Sequence, residues 1–463
     1  MTHKEFEFDM DLVRRYDLNG PRYTSYPTAA SFHDCITEDD YRRHARYSNE
    51  MLVPRPLSLY VHVPFCDTLC FYCGCNKIAT KNRELADEYL DHLEKEADMV
   101  AFLFDKDREV TQLHWGGGTP TFLTREQTDR LMRILSSHWT LSQSEARDFS
   151  IEIDPRSIDE EGVEHLVSLG FNRFSIGVQD LDVKVQEAVN RIQPAELTET
   201  VINTCRRNGA KSINVDLIYG LPHQTIESFG KTLDRVIEWA PDRLSIFNYA
   251  HLPEMFPAQK RISEDDLPTA QQKLDMFAMT IDRLTSAGYI YIGLDHFARP
   301  DDELVKALYE GTLQRNFQGY TTHSDTDLVS LGVSAISSFD RLFTQNVKTL
   351  DEYYQQIHNG HLPIYRGVEL DDDDCMRREA IQQIMCTNEL DFDALDAELH
   401  CLSEPHFVDE VEQLRPMEQD GLVNVAGRKV SLTPKGRFLA RVIAMVFDRA
   451  TQQLARQRFS KII

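Results

Sequence analysis

Four cysteines fall within ten residues of the stretch PFCDTLCFYCGCNK, Pro64 to Lys77. Cys66, Cys70 and Cys73 follow the spacing C-x3-C-x2-C, and Cys75 comes two residues later. Thiolates bind zinc, copper and iron–sulfur clusters. Structural zinc usually takes four ligands in two pairs, and no second CxxC or CxxH stands at finger-like distance. Three thiolates directly after a strand suit a cubane cluster with one iron left open. Were the segment helical, residues 66, 70 and 73 would share one stripe and Cys75 would point about 180° away. Pro64 and Gly74 disfavour that helix. Four reduced cysteines in a loop, or a zinc-stabilised regulatory module with a winged-helix-like tail, are the plainer alternatives. The other five of the nine cysteines (Cys35, Cys205, Cys375, Cys386 and Cys401) are scattered singly, unlike a disulfide framework.

A second feature is HWGGGTPT, His114 to Thr121, at the end of the next strand candidate. A triple glycine alone is a weak signal, more often a turn than a site. Its position beside the cysteine loop gives it weight, because backbone without Cβ atoms can approach a cofactor closely.

The elements that must position these groups alternate between strand and helix. Strand candidates are PLSLYVHV, VTQLHWGG, FSIEIDP, RFSIGVQ, SINVDLIYG and RLSIFNYAH, with helical patterns such as ELADEYLDHLEKEADMV and TIESFGKTLDRVIEW between them. This order predicts a parallel sheet, open or closed into a barrel. Side-chain alternation sorts each strand into two faces. Ile151 and Ile153 oppose Ser150, Glu152 and Asp154; Ile213, Val215 and Leu217 oppose Asn214 and Asp216. Leu59, Val61 and Val63 oppose Ser58, Tyr60 and His62, and Phe174, Ile176 and Val178 oppose Ser175, Gly177 and Gln179. The apolar faces should pack on helices. The polar faces should line a cavity that holds a ligand, since a filled barrel would want bulky aliphatics inside.

Size and charge set the limits. A chain of 463 residues, 41% hydrophobic and 27% charged, has the composition of an ordinary globular protein. The net charge of −25 argues against broad binding to nucleic acid or to an anionic membrane. MTHKEFEFDM lacks the basic start and apolar run of a signal peptide, and the longest apolar stretches are too short to span a bilayer. The expectation is a cytoplasmic monomer. Beyond about residue 366 the pattern turns mainly helical, with DGLVNVAGRKVSLTPKGRFLARVIAMVF reading as two strands and a helix. The acidic run at 371–374 reads as a helix start or a solvated loop.

C-x3-C-x-Y-C after the first strand resembles the signature of radical S-adenosylmethionine (SAM) enzymes. The wider set GPRYTSYPTA, CxxxCxYCGCNK, LHWGGGTPT, IEIDPR, GVQD, VDLIYGLP, FNYAHLP, DHFARPDD and RNFQGYTT resembles the oxygen-independent coproporphyrinogen III oxidases, over nearly the whole chain. The resemblance implies an α/β fold: an open, partial TIM-type (β/α)6 barrel with an N-terminal arm and a mainly helical C-terminal domain. The implied divisions are 1–55 (arm and helices), 56–300 (catalytic barrel), 301–365 (barrel extension) and 366–463 (C-terminal domain). It implies a 4Fe-4S cluster on Cys66, Cys70 and Cys73 and two SAM molecules. Tyr60, Gly117, Glu152 and Ile336 match contacts to the cluster-bound SAM. Tyr72, Gly118, Thr119, Gln179, Arg191, Asp216 and Ala250 match contacts to the second. Four of these, Tyr60, Glu152, Gln179 and Asp216, also fall on the polar faces found by alternation.

The activity implied is oxidative decarboxylation of two propionates of coproporphyrinogen III to vinyl groups, begun by a 5′-deoxyadenosyl radical. Electrons would come from a low-potential donor such as flavodoxin or ferredoxin. Cys75 and Tyr60 are the catalytic candidates. Arg22, Tyr23 and Arg299 are the candidates for the substrate's carboxylates. The related haem chaperone shares the fold and the first three cysteines but lacks the PRYTSYPTA arm and the CGC extension.

Overall fold

In the computed structural model, which describes residues 9–16, 20, 25–323 and 325–449, each of the six alternating segments is a strand. They are β1 (Leu57–Val63), β2 (Glu109–Gly117), β3 (Asp148–Ile153), β4 (Arg173–Gln179), β5 (Ser212–Tyr219) and β6 (Arg243–Asn248). Each is followed by a helix: α1 (Glu84–Ala101), α2 (Arg125–His138), α3 (Glu160–Ser168), α4 (Ala195–Arg207), α5 (Ile226–Trp239) and α6 (Ala270–Ser286). The six strands pair in parallel and in chain order, the arrangement of a (β/α)6 unit.

Among the described residues no strand pairing joins the two ends of the sheet. Beyond β1 it continues with Asp327–Leu331, parallel to β1, and then antiparallel with Ile336–Phe339, Leu342–Asn346 and Ile364–Glu369. Beyond β6 it ends in the antiparallel strands His296–Ala298 and Ile290–Gly293.

Helix starts follow the local sequence. Thr124, Thr225 and Thr269 close capping boxes on Gln127, Ser228 and Gln272, so the orphan amides of α2, α5 and α6 are satisfied as the chain leaves the sheet. On α1 the buried residues Ala86, Tyr89, Leu90, Leu93, Ala97 and Val100 recur at three- and four-residue intervals. They meet the outward apolar face of the sheet, where Leu59, Val61, Ile151, Ile176, Ile213 and Val215 are almost fully buried.

The acidic run is a helix start: Asp371 caps Asp372–Thr387 through the Asp374 amide. The C-terminal part has short helices and the three-stranded sheet Glu389–Asp391, Lys429–Leu432 and Val423–Ala426. Its apolar core is shared with the end of the barrel, since Ile292, Leu304 and Tyr320 lie in one cluster with Ile381, Ile384, Phe407 and Ile443. The position 366 expected as a domain edge falls inside the strand Ile364–Glu369, which stays paired as far as Glu369 on Leu342. Among the described residues no helix is long and apolar enough to cross a membrane.

Candidate active site

After β1 the cysteine segment forms a loop rather than a helix. A two-residue parallel pair closes it, Phe65–Cys66 with Ile78–Ala79, through Ile78 N–H on Pro64 O (2.7 Å) and Thr80 N–H on Cys66 O (2.9 Å). The helical stripe that would have turned Cys75 away is therefore absent, and all four cysteines line one cavity of about 420 Å³.

The glycine run is what lets β2 end against this loop. The amide of Gly118 donates to Val63 O (2.8 Å), and a Cβ at 118 would lie 2.8 Å from the Pro64 carbonyl carbon and 2.9 Å from Phe65 O. Gly117 has φ +114°, and a Cβ there would meet the His62 ring at 2.7 Å. Thr119 follows and donates its hydroxyl to Cys66 Sγ (3.3 Å).

Each of the first three sulfurs receives a donor. Arg156 and Arg191 direct guanidinium N–H groups at Cys70 Sγ (3.5 and 3.7 Å), and the Cys75 amide donates to Cys73 Sγ (3.4 Å). Burial pushes the Cys66 thiol up to about 12. The Cys73 thiol is lowered to about 6, first by its contact with Cys75 and then by the charge of Lys77, and that same contact raises Cys75. Lys77 is held in place by its bond to Cys73 O (2.9 Å).

The inward faces of the strands supply the rest of the wall. Strand register brings His114 beside Tyr60 and Ser150, then Glu152 beside Ser175, then Ser175 beside Asn214. Glu152 accepts from the Gly117 amide (3.2 Å) and meets His114 Nε2 (3.4 Å). Asp216 accepts from Ser175 Oγ (2.9 Å) and Asn214 Nδ2 (2.7 Å), and burial raises its carboxyl to about 6. Among the described residues no Lys or Arg forms an ion pair with either carboxylate. Gln179 sits at φ 68°, an unfavourable region for a residue with a side chain, where β4 slips register against β5.

Of the sequence candidates, Tyr72, Gly117, Gly118, Thr119, Glu152, Gln179, Arg191 and Asp216 line this cavity together with the cysteines. Tyr60 stands just behind the wall, stacked on His114 (5.7 Å between centroids) with its hydroxyl on His62 Nδ1 (3.1 Å). Ala250, after β6, and Ile336, at the start of its strand, are not among the lining residues. Arg299 is exposed beside Asp301 (3.5 Å) and does not line the cavity. Arg22 and Tyr23 lie outside the described residues.

The cations of the cavity are instead Lys77, Arg156, Arg173, Arg191 and Arg243. Arg156 and Arg191 share Asp154 (2.6 and 3.1 Å), Arg173 pairs with Asp148 and Glu303, and Arg243 with Asp302 (2.9 Å). The alternation had already put Asp154 on the polar face, which was the available signal for Arg156 two residues on. Arg173 and Arg243 begin their strands, and nothing local marks them as cavity residues.

A parallel half-barrel, with a three-cysteine loop after its first strand and a polar interior, defines a radical SAM protein; residues 60–236 match the Radical SAM superfamily. Residues 370–439 match the HemN C-terminal domain. The chain belongs to the family of oxygen-independent coproporphyrinogen III oxidases. It is 49% identical over 456 residues to the member from Pseudomonas aeruginosa, covering 98% of this chain and 99% of that one. The identity to the Salmonella typhimurium member is also 49%, with both chains covered completely. The solved structure of coproporphyrinogen III oxidase (HemN) from Escherichia coli, described as a radical SAM enzyme, matches with a TM-score of 0.91 at 47% identity, over 96% of this chain and 100% of that one.

The cofactors of this superfamily are a 4Fe-4S cluster and SAM, and the donor set fits a cluster. Three thiols line one cavity, each with a hydrogen-bond donor at its sulfur.

Proposed function

We propose that this chain oxidatively decarboxylates two propionate side chains of coproporphyrinogen III to vinyl groups, giving protoporphyrinogen IX. The observation that carries the reading is the joining, in one cavity, of the three-cysteine loop with two carboxylates that pair with no Lys or Arg among the described residues. When bound, the cluster and SAM supply the one-electron chemistry that removes a hydrogen atom from a propionate, a step no side chain performs.

The chain's own residues hold and orient. Cys66, Cys70 and Cys73 are the ligands for the cluster. Glu152, fixed by the Gly117 amide, is the acceptor for the ammonium of the cluster-bound SAM, with Tyr60, Gly117 and Ile336 around it. Asp216 is the acceptor for a second SAM, in the company of Tyr72, Gly118, Thr119, Gln179, Arg191 and Ala250. Two molecules suit the spacing, because strands two apart in a sheet are separated by about 10 Å. A cationic ligand at Asp216 would draw its carboxyl back down from about 6.

Cys75 offers an exposed thiol to the same cavity without serving as a ligand, and Tyr60 steadies His62 and His114 behind the wall. Arg22, Tyr23 and Arg299 remain proposed carboxylate contacts. A flavodoxin or ferredoxin is the proposed electron donor and a cytoplasmic monomer the proposed form. The 1–55, 56–300, 301–365 and 366–463 divisions stand as proposed, with the last strand of the sheet running on to Glu369.

Anaerobic reconstitution with iron and sulfide, then reduction in the presence of SAM and coproporphyrinogen III, tests the reading. It expects 5′-deoxyadenosine and protoporphyrinogen IX; finding neither overturns it.

A further inference from the structure

The proposed chemistry draws electrons from outside the chain, and a protein of net charge −25 repels an acidic carrier over most of its surface. One surface beside the cysteine loop is different. Asn76, next to Cys75, donates its side-chain amide to the backbone oxygen of Lys348 (3.0 Å). Lys348 Nζ lies 6.0 Å from the centre of the Tyr365 ring, and the Arg366 guanidinium carbon lies 5.7 Å from the same ring. Tyr365 is 50% exposed and Lys348 is exposed, while Arg366 is steadied by Gln345 (2.8 Å).

Most arginines around the barrel are tied to carboxylates, but among the described residues neither Lys348 nor Arg366 reaches one. The nearest acids in sequence are Asp351 and Glu352, in the first turn of Leu350–His358, where Glu352 takes the Thr349 hydroxyl (2.7 Å), and Glu369, which pairs with Arg43 (2.8 Å). Partial burial of the ammonium, and after it the charge of Arg366, lower Lys348.

We propose that Lys348, Tyr365 and Arg366 form the docking surface for a small acidic one-electron carrier that reduces the cluster held by the adjacent cysteine loop. The inference rests on the radical SAM reading and adds to it the place of the reductant. The carrier gives up one electron and the cluster gains one; no bond forms or breaks. Carboxylates on the carrier relieve the Lys348–Arg366 repulsion, and an aromatic beside the two cations gives the interface an apolar part.

The test compares two reductants on the reconstituted holoenzyme and its Lys348→Glu/Arg366→Glu variant. With dithionite, 5′-deoxyadenosine formation by the variant should stay within about twofold of the parent. With reduced flavodoxin it should fall about tenfold or more, through a higher apparent KM for flavodoxin, and the salt sensitivity of the parent should disappear. The milder Lys348→Gln/Arg366→Gln variant should fall between the two. Equal flavodoxin-driven rates in parent and variant overturn the proposal. A dithionite-driven rise in the KM for coproporphyrinogen III overturns it too, and assigns the cations to substrate carboxylates. Failure of the parent with dithionite would reject the radical SAM reading itself, separately from the docking surface.

Discussion

At the residue scale the sharpest division is within the cysteine loop. Cys75 meets Cys73 Sγ through its thiol and also through its backbone amide (3.4 Å), and the amide bond survives replacement of the thiol. Cys75→Ser should therefore retain iron and sulfide at parental stoichiometry while losing decarboxylation. Iron, sulfide and absorbance measurements on the anaerobic protein check the first half, and product assay the second; loss of the cluster would make Cys75 a structural residue. Asp216 carries a pH prediction. Its folded carboxyl, at about 6, lies above the ordinary value of 3.8, so the native state binds its proton more tightly than the unfolded chain. Stability from this group is present below about pH 4 and is lost as pH rises through about 6, a contribution of about 3 kcal/mol. Thermal melts of iron-free Asp216→Asn should show a flatter profile across that window, leaving the same-signed contributions of Asp180 and Glu96.

At the element scale the two β-strand ends that bear the site are held together by glycines. A Cβ at Gly118 would press on backbone atoms, which have no rotamer to escape into. Gly118→Ala should cost about 1–3 kcal/mol and lower the iron content of the reconstituted protein; denaturant midpoints and iron analysis read the two effects. Strand alternation made the polar and apolar faces of β1, β3, β4 and β5 legible before any coordinates, because a period of two fixes which side each residue takes. Alternation does not reveal which strands are neighbours. The contact of Glu152 with the Gly117 amide depends on β2 lying beside β3, which the pairing of His114 with Ser150 establishes.

Over the whole molecule, the C-terminal part is fastened to the end of the barrel by more than its shared core. Arg441 and Asp295 form a nearly buried ion pair across the two (2.6 Å), and the Tyr320 hydroxyl donates to Met385 O (3.1 Å). Arg441→Met leaves the Asp295 charge buried without that partner and should cost about 3–5 kcal/mol, visible as a lower denaturant midpoint. The strand Ile364–Glu369 runs past residue 366 because its pairing with Leu342–Asn346 continues to Glu369.

The sequence by itself determined the chemistry-bearing groups: three thiols at cluster spacing, a glycine run, and strands with carboxylates on one face. Those are local properties of residue type and period. Only the tertiary structure decided that Arg156 and Arg191 meet at Cys70, that Arg173 and Arg243 join the cavity wall, and that Lys348 reaches the loop at Asn76. Each of these pairings spans tens or hundreds of residues, and such distances are set by strand order and packing, which no local pattern encodes.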